Sequence, residues 1–285
     1  MSAASRHFDC ANKAKAKFDD IYNAPDPRGY YQTLGDLGYC IPSEAKPIFR
    51  KVIDMMGRDR LKIVDIGCSY GVNAAMIRYD LTFEDLVERY AESDMSDRSI
   101  AEVIVQDAEE FSEASAAVNA AFVGVDVAGE AAGYAKAVGL IDEAVIENLE
   151  QKPLSNAAAA LVADADLIIT TGAVGYVTER TFSRIIDAVE GEAPWVAAFA
   201  LRQFPFDAIA DSLAGRGLRT EQLEDRYFEQ RAFRDETEAK GAIEAVRAAG
   251  RDPEGLESTG RYFADFFLAR PEGAPGSIDA LAHAS

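Results

Sequence analysis

The chain has 285 residues, of which 48% are hydrophobic, so it is long and apolar enough to bury a core. It carries 29 lysines and arginines against 49 aspartates and glutamates, which gives a formal net charge of −20. A surface this acidic repels phosphate backbones and anionic membranes, so we expect neither a nucleic acid nor a membrane as a partner.

The N-terminal region, residues 1–58, is predicted to be helical and to carry several aromatic side chains. A helix is expected over 10–22. The sequence NAPDPRGYY after it is predicted to be a turn, because its prolines interrupt a helix and its glycine frees the backbone. Apolar residues at helical spacing resume from Ser43. We interpret residues 1–58 as a helical lid over the rest of the protein.

A strand, a tight turn and a helix are predicted next, over residues 61–78. LKIVDIG is a short apolar run of strand character, and the helical pattern begins at Val72. Residues 81–120 are mostly acidic and helical in pattern, so we interpret them as an insertion into a domain formed by residues 59–285. Whether this insertion is a lid, a dimer surface or both stays open.

Six further predicted strands alternate with helices along the remaining chain. Their apolar runs lie at 121–129, 142–150, 165–175, 194–204, 217–233 and 261–271. Continuous apolar runs are typical of strands that are buried on both faces. The pattern therefore predicts an α/β fold with a mostly parallel sheet and helices on both faces. The last run alternates in polarity, so we expect it at an edge of the sheet.

The stretch VDIGCSYGVNAA, residues 64–75, carries the clearest functional signal. Gly67 and Gly71 allow the backbone to turn tightly and to approach a ligand, and the helix that begins there offers unpaired N–H groups. Ser69 lies between the two glycines. It can hydrogen-bond a ligand carboxylate, but it leaves less room for a pyrophosphate than a glycine would. The turn therefore favours a ligand with a carboxylate over one with a pyrophosphate.

This stretch resembles the first motif of class I S-adenosylmethionine (SAM) methyltransferases, D-x-G-x-G-x-G, with Ser69 in the place of the middle glycine. Asp126 ends the second predicted strand, where nucleotide-binding families place an acid on the ribose hydroxyls. It follows Gly71 by 55 residues, whereas this acid usually lies about 20 residues past the glycines. The assignment thus requires the insertion over 81–120. The alternative is that Asp126 only caps the next helix.

The third and fourth predicted strands extend the resemblance. The third predicted strand ends at Asn148 and Leu149, and TTGAVGY, from Thr170, resembles the motif beside the sulfonium. Core packing of Leu149 and a simple strand-to-helix turn after the fourth strand are the alternatives. The resemblance implies a Rossmann-like, seven-stranded sheet in which methionine is held by Asp65, Gly67, Ser69 and Gly71, ribose by Asp126, adenine by Asn148 and Leu149, and the reacting end by Thr171 and Gly172.

Candidates for a catalytic role are few, and the sequence assigns the role to none of them. His7 is one of only two histidines, and the adjacent Tyr30 and Tyr31 could line a substrate pocket, because neighbouring tyrosines do not easily face one core. Arg202, directly after the fifth strand, could hold a substrate carboxylate, and Arg231 is a weaker candidate for the same role. The alternatives are core packing for the tyrosines and salt bridges to surface acids for the arginines.

The cysteines and the apolar runs bear on metals and on location. Three widely spaced cysteines without a C-x-x-C pair argue against a disulfide framework and a structural zinc site, and no cluster of acids indicates another metal. The first residues lack the apolar core of a signal peptide, and no apolar run reaches the length of about 18 residues that a membrane span needs. We therefore expect a cytoplasmic protein without a metal.

Together these features predict a SAM-dependent methyltransferase that releases S-adenosylhomocysteine (SAH) and methylates a nitrogen or oxygen atom of a small molecule. A homodimer is compatible with the sequence. Two alternatives stay open: an NAD(P)-dependent Rossmann oxidoreductase and a non-catalytic SAM-binding protein. The oxidoreductase predicts a third glycine in place of Ser69 and a hydride-site pair such as Tyr-x-x-x-Lys, which Tyr134 and Lys136 do not supply.

Overall fold

A mixed β-sheet forms the centre of the protein. The computed structural model describes residues 19–284, apart from the side chains of residues 19, 20, 93 and 94. The strands, numbered β1 to β8 in chain order, are Leu61–Ile66, Ala120–Val125, Glu143–Val145, Leu167–Thr171, Trp195–Leu201, Leu218–Gln222, Phe228–Ala232 and Arg261–Pro271. As their apolar sequences predict, β1, β4 and β5 are buried over nearly their whole length.

Helices connect most of these strands. Numbered α1 to α12, they are Asp19–Tyr22, Arg28–Asp36, Ile41–Met56, Val72–Tyr79, Phe83–Ala91, Ser93–Ser96, Ile100–Glu113, Gly129–Ala137, Asn156–Val162, Glu179–Ile186, Asp207–Ala214 and Glu236–Ala248. Short 3-10 turns occupy Glu257–Thr259 and Ile278–Leu281. Within residues 19–284, none of the helices is both long enough and apolar enough to cross a membrane.

The strands are arranged in the order β3-β2-β1-β4-β5-β8-β6, and β7 also pairs with β8. The pairs among β1 to β5 are parallel, whereas β8 is antiparallel to β5, β6 and β7. This confirms the predicted α/β class with a mostly parallel, Rossmann-like sheet. The predicted sixth strand, 217–233, is two short strands, which pair with successive parts of β8.

The predicted edge position of the last strand is wrong. β8 lies inside the sheet, because β5 covers one of its edges and β6 and β7 cover the other. Its middle is accordingly buried from Ala264 to Arg270. The alternation in its sequence comes from the polar residues Asp265 and Arg270, which are buried in ion pairs with Arg251 and Glu221 respectively.

The N-terminal helices and the helices of the segment 81–120 share a second hydrophobic core. Tyr31 of α2 stacks on Tyr90 of α5, with ring centroids 4.8 Å apart and an interplanar angle of 10°. The Arg28 guanidinium donates hydrogen bonds of 2.9 Å to the carbonyl oxygens of Met95 and Arg98. The segment 81–120 is therefore helical, as predicted, and it supports the N-terminal region directly.

A buried carboxylate joins this second core to the main domain. Asp107 on α7 is fully buried and accepts hydrogen bonds from Nε of Arg89 (3.0 Å) and from the hydroxyl groups of Tyr90 (3.1 Å) and Tyr134. Tyr134 lies on α8, which follows β2. The buried charge is thus compensated by partners from both units, as a buried carboxylate requires.

Candidate functional site

A cavity of about 730 Å³ opens at the carboxyl ends of β1, β2 and β4. In open α/β sheets, ligands bind at the carboxyl ends of the strands, at the position where the order of the strands reverses. Here that position is β1, which has β2 on one side and β4 on the other. Most of the lining residues follow the carboxyl ends of strands β1 to β4: residues 66–69, 72 and 73 after β1, 125–128 after β2, 147–150 after β3, and 171–173, 176, 177 and 181 after β4. The others are Tyr22, Tyr30, Tyr39, Pro42, Gln230 and Arg231.

The turn after β1 has the left-handed backbone that the glycine pattern predicts. Gly67, Ser69 and Gly71 have φ angles of 74°, 48° and 77°. A Cβ atom on Gly67 would lie 2.7 Å from Cβ of Ala173, so this position accepts only glycine. Ser69 adopts a conformation that few residues with a side chain adopt. Its Oγ atom is buried and, among the described residues, has no hydrogen-bond partner.

Asp126 connects this turn to the end of β2. Its Oδ2 atom accepts a hydrogen bond of 2.9 Å from the backbone N–H of Ser69, and its Oδ1 atom accepts one of 2.9 Å from the N–H of Ala128. Each carboxylate oxygen can accept more than one hydrogen bond. The carboxylate is therefore fixed in orientation and still has acceptor sites for ligand hydroxyl groups.

A chain of polar side chains lies behind the turn. The Thr171 hydroxyl donates to Oδ1 of Asn73 (3.1 Å), and Nδ2 of Asn73 donates to Oδ1 of Asp65 (2.9 Å). Asp65 is fully buried, and its Oδ2 atom has no partner among the described residues. Burial raises the pKa of Asp65 to about 7; the hydrogen bond from Asn73 opposes this shift and the nearby charge of Asp126 adds to it.

The segment after β3 is held by its own polar side chains. Oδ1 of Asn148 accepts a hydrogen bond of 3.0 Å from the N–H of Glu150, as in an Asx turn. The Glu150 carboxylate accepts hydrogen bonds from the hydroxyls of Thr178 (2.7 Å) and Thr181 (2.6 Å). Leu149 is 3% exposed and belongs to the main core, although it also lines the cavity. The protein's own hydrogen bonds therefore hold this part of the cavity wall, after β3, in place.

Tyrosines and a glutamine form a further wall of the cavity. The rings of Tyr22 and Tyr30 meet edge to face with centroids 5.7 Å apart. Burial raises the pKa of both phenols above the ordinary tyrosine value, as it does for Tyr39. Gln230 lies against Gly172: a Cβ atom on that glycine would be 2.7 Å from Nε2 of Gln230. This wall is therefore mainly aromatic, and Arg231 is its charged member.

The structure brings most of the predicted cofactor residues to one place. Gly67, Ser69, Asp126, Asn148, Leu149, Thr171 and Gly172 line the cavity. Asp65 and Gly71 do not line it; they lie in the layer beneath, where Gly71 packs against Leu140 and Ala135. Whether these residues hold a cofactor stays a prediction.

The predicted catalytic residues, unlike the predicted cofactor residues, do not lie together at the cavity. Of these, Tyr30 lines the cavity, and His7 lies outside the described residues. Tyr31 is 1% exposed in the second core and does not line the cavity, so neighbouring tyrosines can both be buried when a second core exists. Arg202 is also buried away from the cavity, where it donates to Glu257 at 2.6 Å. Neither Tyr31 nor Arg202 therefore lines the cavity.

Several lining residues were missed by the sequence analysis. Asn73 lies in the quoted motif, two residues after Gly71, and its position in the first turn of α4 was the available signal. Glu150 directly follows Leu149 and offered a similar signal. Gln230 gave none, because it comes from β7, which is far away in the sequence. Among residues 19–284, no group of three or more histidine, cysteine or acidic side chains could hold a metal.

Comparison with known proteins gives distant matches only. No protein-family model matches the sequence, and no curated protein does. Among solved structures, the chain is similar to a TehB-like SAM-dependent methyltransferase from Corynebacterium glutamicum, with 16% identity over 76% of this chain and 84% of that chain and a TM-score of 0.38. A putative sarcosine dimethylglycine methyltransferase from Galdieria sulphuraria matches with 11% identity, 80% and 86% coverage and a TM-score of 0.41. The plantazolicin methyltransferase BpumL in complex with SAH matches with 11% identity, 94% and 96% coverage and a TM-score of 0.42.

The sheet itself carries more information than these matches. Five parallel strands in the order β3-β2-β1-β4-β5 are followed by an antiparallel strand that inserts between β5 and the edge strand β6. The dinucleotide-binding Rossmann sheet has the order 3-2-1-4-5-6 without such an insertion. By the order and direction of its strands, the chain has a Rossmann-like fold that differs from the dinucleotide-binding sheet in this antiparallel insertion.

Proposed function

We propose that the protein is a SAM-dependent methyltransferase that acts on a small molecule. The observation that carries this proposal is the position of Asp126, which faces the cavity beside β1 while both of its oxygens are held by backbone N–H groups. An acid in this place suits ribose hydroxyls. The antiparallel β8 and the side chain of Ser69 favour SAM over a dinucleotide.

The residues present fit SAM. Within residues 19–284, the Ser69 hydroxyl and the Oδ2 atom of Asp65 are buried polar atoms without hydrogen-bond partners. The Ser69 hydroxyl lines the cavity at the turn that would hold the methionine part, where it can accept from an ammonium group or donate to a carboxylate. Asp65 lies in the layer beneath this turn, where it accepts from Asn73. The cavity volume of about 730 Å³ lies in the range of cofactor and ligand pockets.

The roles of the protein's own residues follow from this fit. Asp126 would hold the ribose, Asn148 and Leu149 would meet the adenine, and Thr171 and Gly172 would lie near the reacting end. SAM would supply the methyl group in an already activated form, so the protein mainly positions the acceptor and excludes water. The cavity walls formed by Tyr22 and Tyr30 suit that task.

A thermal shift experiment tests the proposal. Purified protein is heated in parallel with SAM, SAH, NAD and NADP, because a ligand that binds only the folded state raises the melting temperature. We expect a rise with SAM and SAH alone. A rise with a nicotinamide nucleotide instead would indicate the oxidoreductase alternative, and turnover of bound SAM would separate an enzyme from a non-catalytic binding protein.

A further inference from the structure

More of the charged side chains that line the cavity are negative than positive. Asp126, Glu147 and Glu150 line it, together with a single cationic side chain among the described residues, that of Arg231. The Arg231 guanidinium donates to both carboxylate oxygens of Glu238, at 2.9 and 2.7 Å. Its positive charge is therefore balanced locally. The remaining carboxylates give the cavity a negative potential that attracts a cationic ligand.

Gln230 adds a hydrogen-bond acceptor to the wall of the cavity. The side chain is 3% exposed, and its Oε1 atom has no hydrogen-bond partner within the described part of the chain. A buried acceptor without a donor is costly, because it has lost its hydrogen bonds to water without replacing them. The nitrogen of the same amide group lies against Gly172, one of the two residues that the resemblance places near the reacting end of SAM. A ligand that donates an N–H or O–H group here would remove the cost.

The surrounding rings also suit a cation. Tyr22, Tyr30 and Tyr39 line the same part of the cavity. The faces of aromatic rings carry negative charge density and bind ammonium groups through cation–π contacts. Because burial raises the pKa of each of these phenols, all three rings stay neutral at physiological pH. They provide apolar surface and ring faces at once.

We propose that the methyl acceptor is a small amine, which binds as a cation with one N–H group donated to Oε1 of Gln230. This inference rests on the proposed methyltransferase function. An ammonium group satisfies both observations, because it is positively charged and carries hydrogen-bond donors. A neutral alcohol satisfies only the unpaired acceptor, and a carboxylate satisfies neither.

The reaction of such an acceptor balances without a further reactant. The bound ammonium group loses one proton to water, and the freed nitrogen lone pair forms the new N–C bond to the methyl group. The electron pair of the breaking S–C bond stays on sulfur, which leaves a neutral thioether. Gln230 acts as a positioning residue, because an amide side chain orients the N–H group and does not accept the proton.

Binding of matched probes to SAH-saturated protein tests the proposal without any turnover. The probes are phenethylamine, 2-phenylethanol and 3-phenylpropanoate, which share a ring and differ in the charge of one group. By titration calorimetry at neutral pH, we expect phenethylamine to bind at least about tenfold more tightly than the other two. Equal or tighter binding of the alcohol or the carboxylate, or no binding of any probe, would overturn the amine assignment. Failure of SAH itself to bind would instead refute the proposed function.

Substitutions at Gln230 test its part. Gln230→Leu should weaken phenethylamine binding about fivefold or more through the lost hydrogen bond, and leave the affinity for SAH unchanged. Gln151→Leu, the same change at an exposed position outside the cavity, is the matched control and should alter neither affinity. Gln230→Glu keeps the acceptor and adds a negative charge, so it should strengthen amine binding. Unchanged binding in the leucine variant, or weaker binding in the glutamate variant, would remove Gln230 from the acceptor site.

Discussion

The backbone N–H of Ser69 donates a hydrogen bond of 2.9 Å to Oδ2 of Asp126, across 57 residues of sequence. The residue that we predict to hold the ribose therefore also fixes the turn that we predict to hold the methionine part. Its second oxygen is held by Ala128, so the carboxylate has little rotational freedom left. The two halves of the proposed cofactor site are thus coupled through one side chain.

Replacement of Asp126 should weaken SAM binding more than the loss of one ligand contact implies. In Asp126→Ala, the ribose contacts and the restraint on Ser69 disappear together, so we expect the Kd for SAM to rise at least about tenfold, or about 1.4 kcal/mol. Titration calorimetry measures this. Asp59→Ala, an exposed position, is the control. An unchanged Kd in a folded Asp126→Ala variant would remove Asp126 from the site.

Asp65 should make the stability of the free protein depend on pH. Burial raises its pKa from 3.8 to about 7 in the folded state, so the folded chain holds this proton more tightly than the unfolded chain does. The contribution of the protonated group to stability is complete below pH 3.8 and is lost as the pH rises through about 7. The loss amounts to about 1.4 kcal/mol per pH unit within this window.

Urea unfolding of the wild type and of Asp65→Asn at several pH values measures this effect. The asparagine variant does not titrate at this position. The free energy of unfolding of the wild type should therefore fall relative to that of the variant between about pH 4 and about pH 7. Above about pH 7, the difference between the two free energies should be constant. Two parallel pH profiles would contradict the raised pKa.

Tyr70, between Ser69 and Gly71, should anchor the N-terminal segment. Its hydroxyl donates to the carbonyl oxygen of Ile21 at 2.8 Å and accepts from the N–H of Ala24 at 3.0 Å. Tyr70→Phe keeps the ring and removes these bonds, at a cost of about 1–2 kcal/mol. Hydrogen exchange should report faster exchange of the Ala24 amide.

A matched control for this substitution is Tyr79→Phe. The Tyr79 ring stacks on Phe111 at 5.7 Å, outside the cavity. The Tyr79→Phe variant should leave the hydrogen-exchange rate of the Ala24 amide unchanged. Equal exchange rates for Ala24 in the wild type and in Tyr70→Phe would show that the hydroxyl is not what holds the segment.

Asp107 should be essential for the stability of the second core. In Asp107→Asn, a fully buried carboxylate that accepts from Arg89, Tyr90 and Tyr134 is lost, and Arg89 keeps Glu110 as an ion-pair partner, so we expect a loss of about 3 kcal/mol. Chemical unfolding measures it, and Glu109→Gln, an exposed acid on the same helix, should have almost no effect. A loss no larger than that of the control would mean that the ion pair does not stabilise the fold.

The order of elements could be predicted from the sequence because their signals are local. Apolar runs such as LKIVDIG place strands, and the glycines of VDIGCSYGVNAA require a turn with a left-handed backbone. The segment 81–120 was correctly expected to be helical. The sequence indicates Asp126 because it ends a strand, and strand ends meet at one edge of a parallel sheet.

What could not be predicted depends on contacts between distant segments. Tyr31 is indistinguishable from Tyr30 in the sequence; only the second core, built with Tyr90, separates their environments. Arg202 follows a strand, as a ligand-binding residue would, but its partner Glu257 lies 55 residues further on. Gln230 reaches the cavity because β7 pairs with β8, and no local pattern shows that pairing.

The position of β8 also has a consequence for how the chain is made. Both β6 and β7 precede β8 along the chain, and within the described residues they are paired with β8 alone. During synthesis, the half of the sheet beyond β5 therefore cannot assemble until residues 261–271 have left the ribosome. Until then the apolar strand β5 has one open edge, at which the nascent chain can pair with strands of other chains.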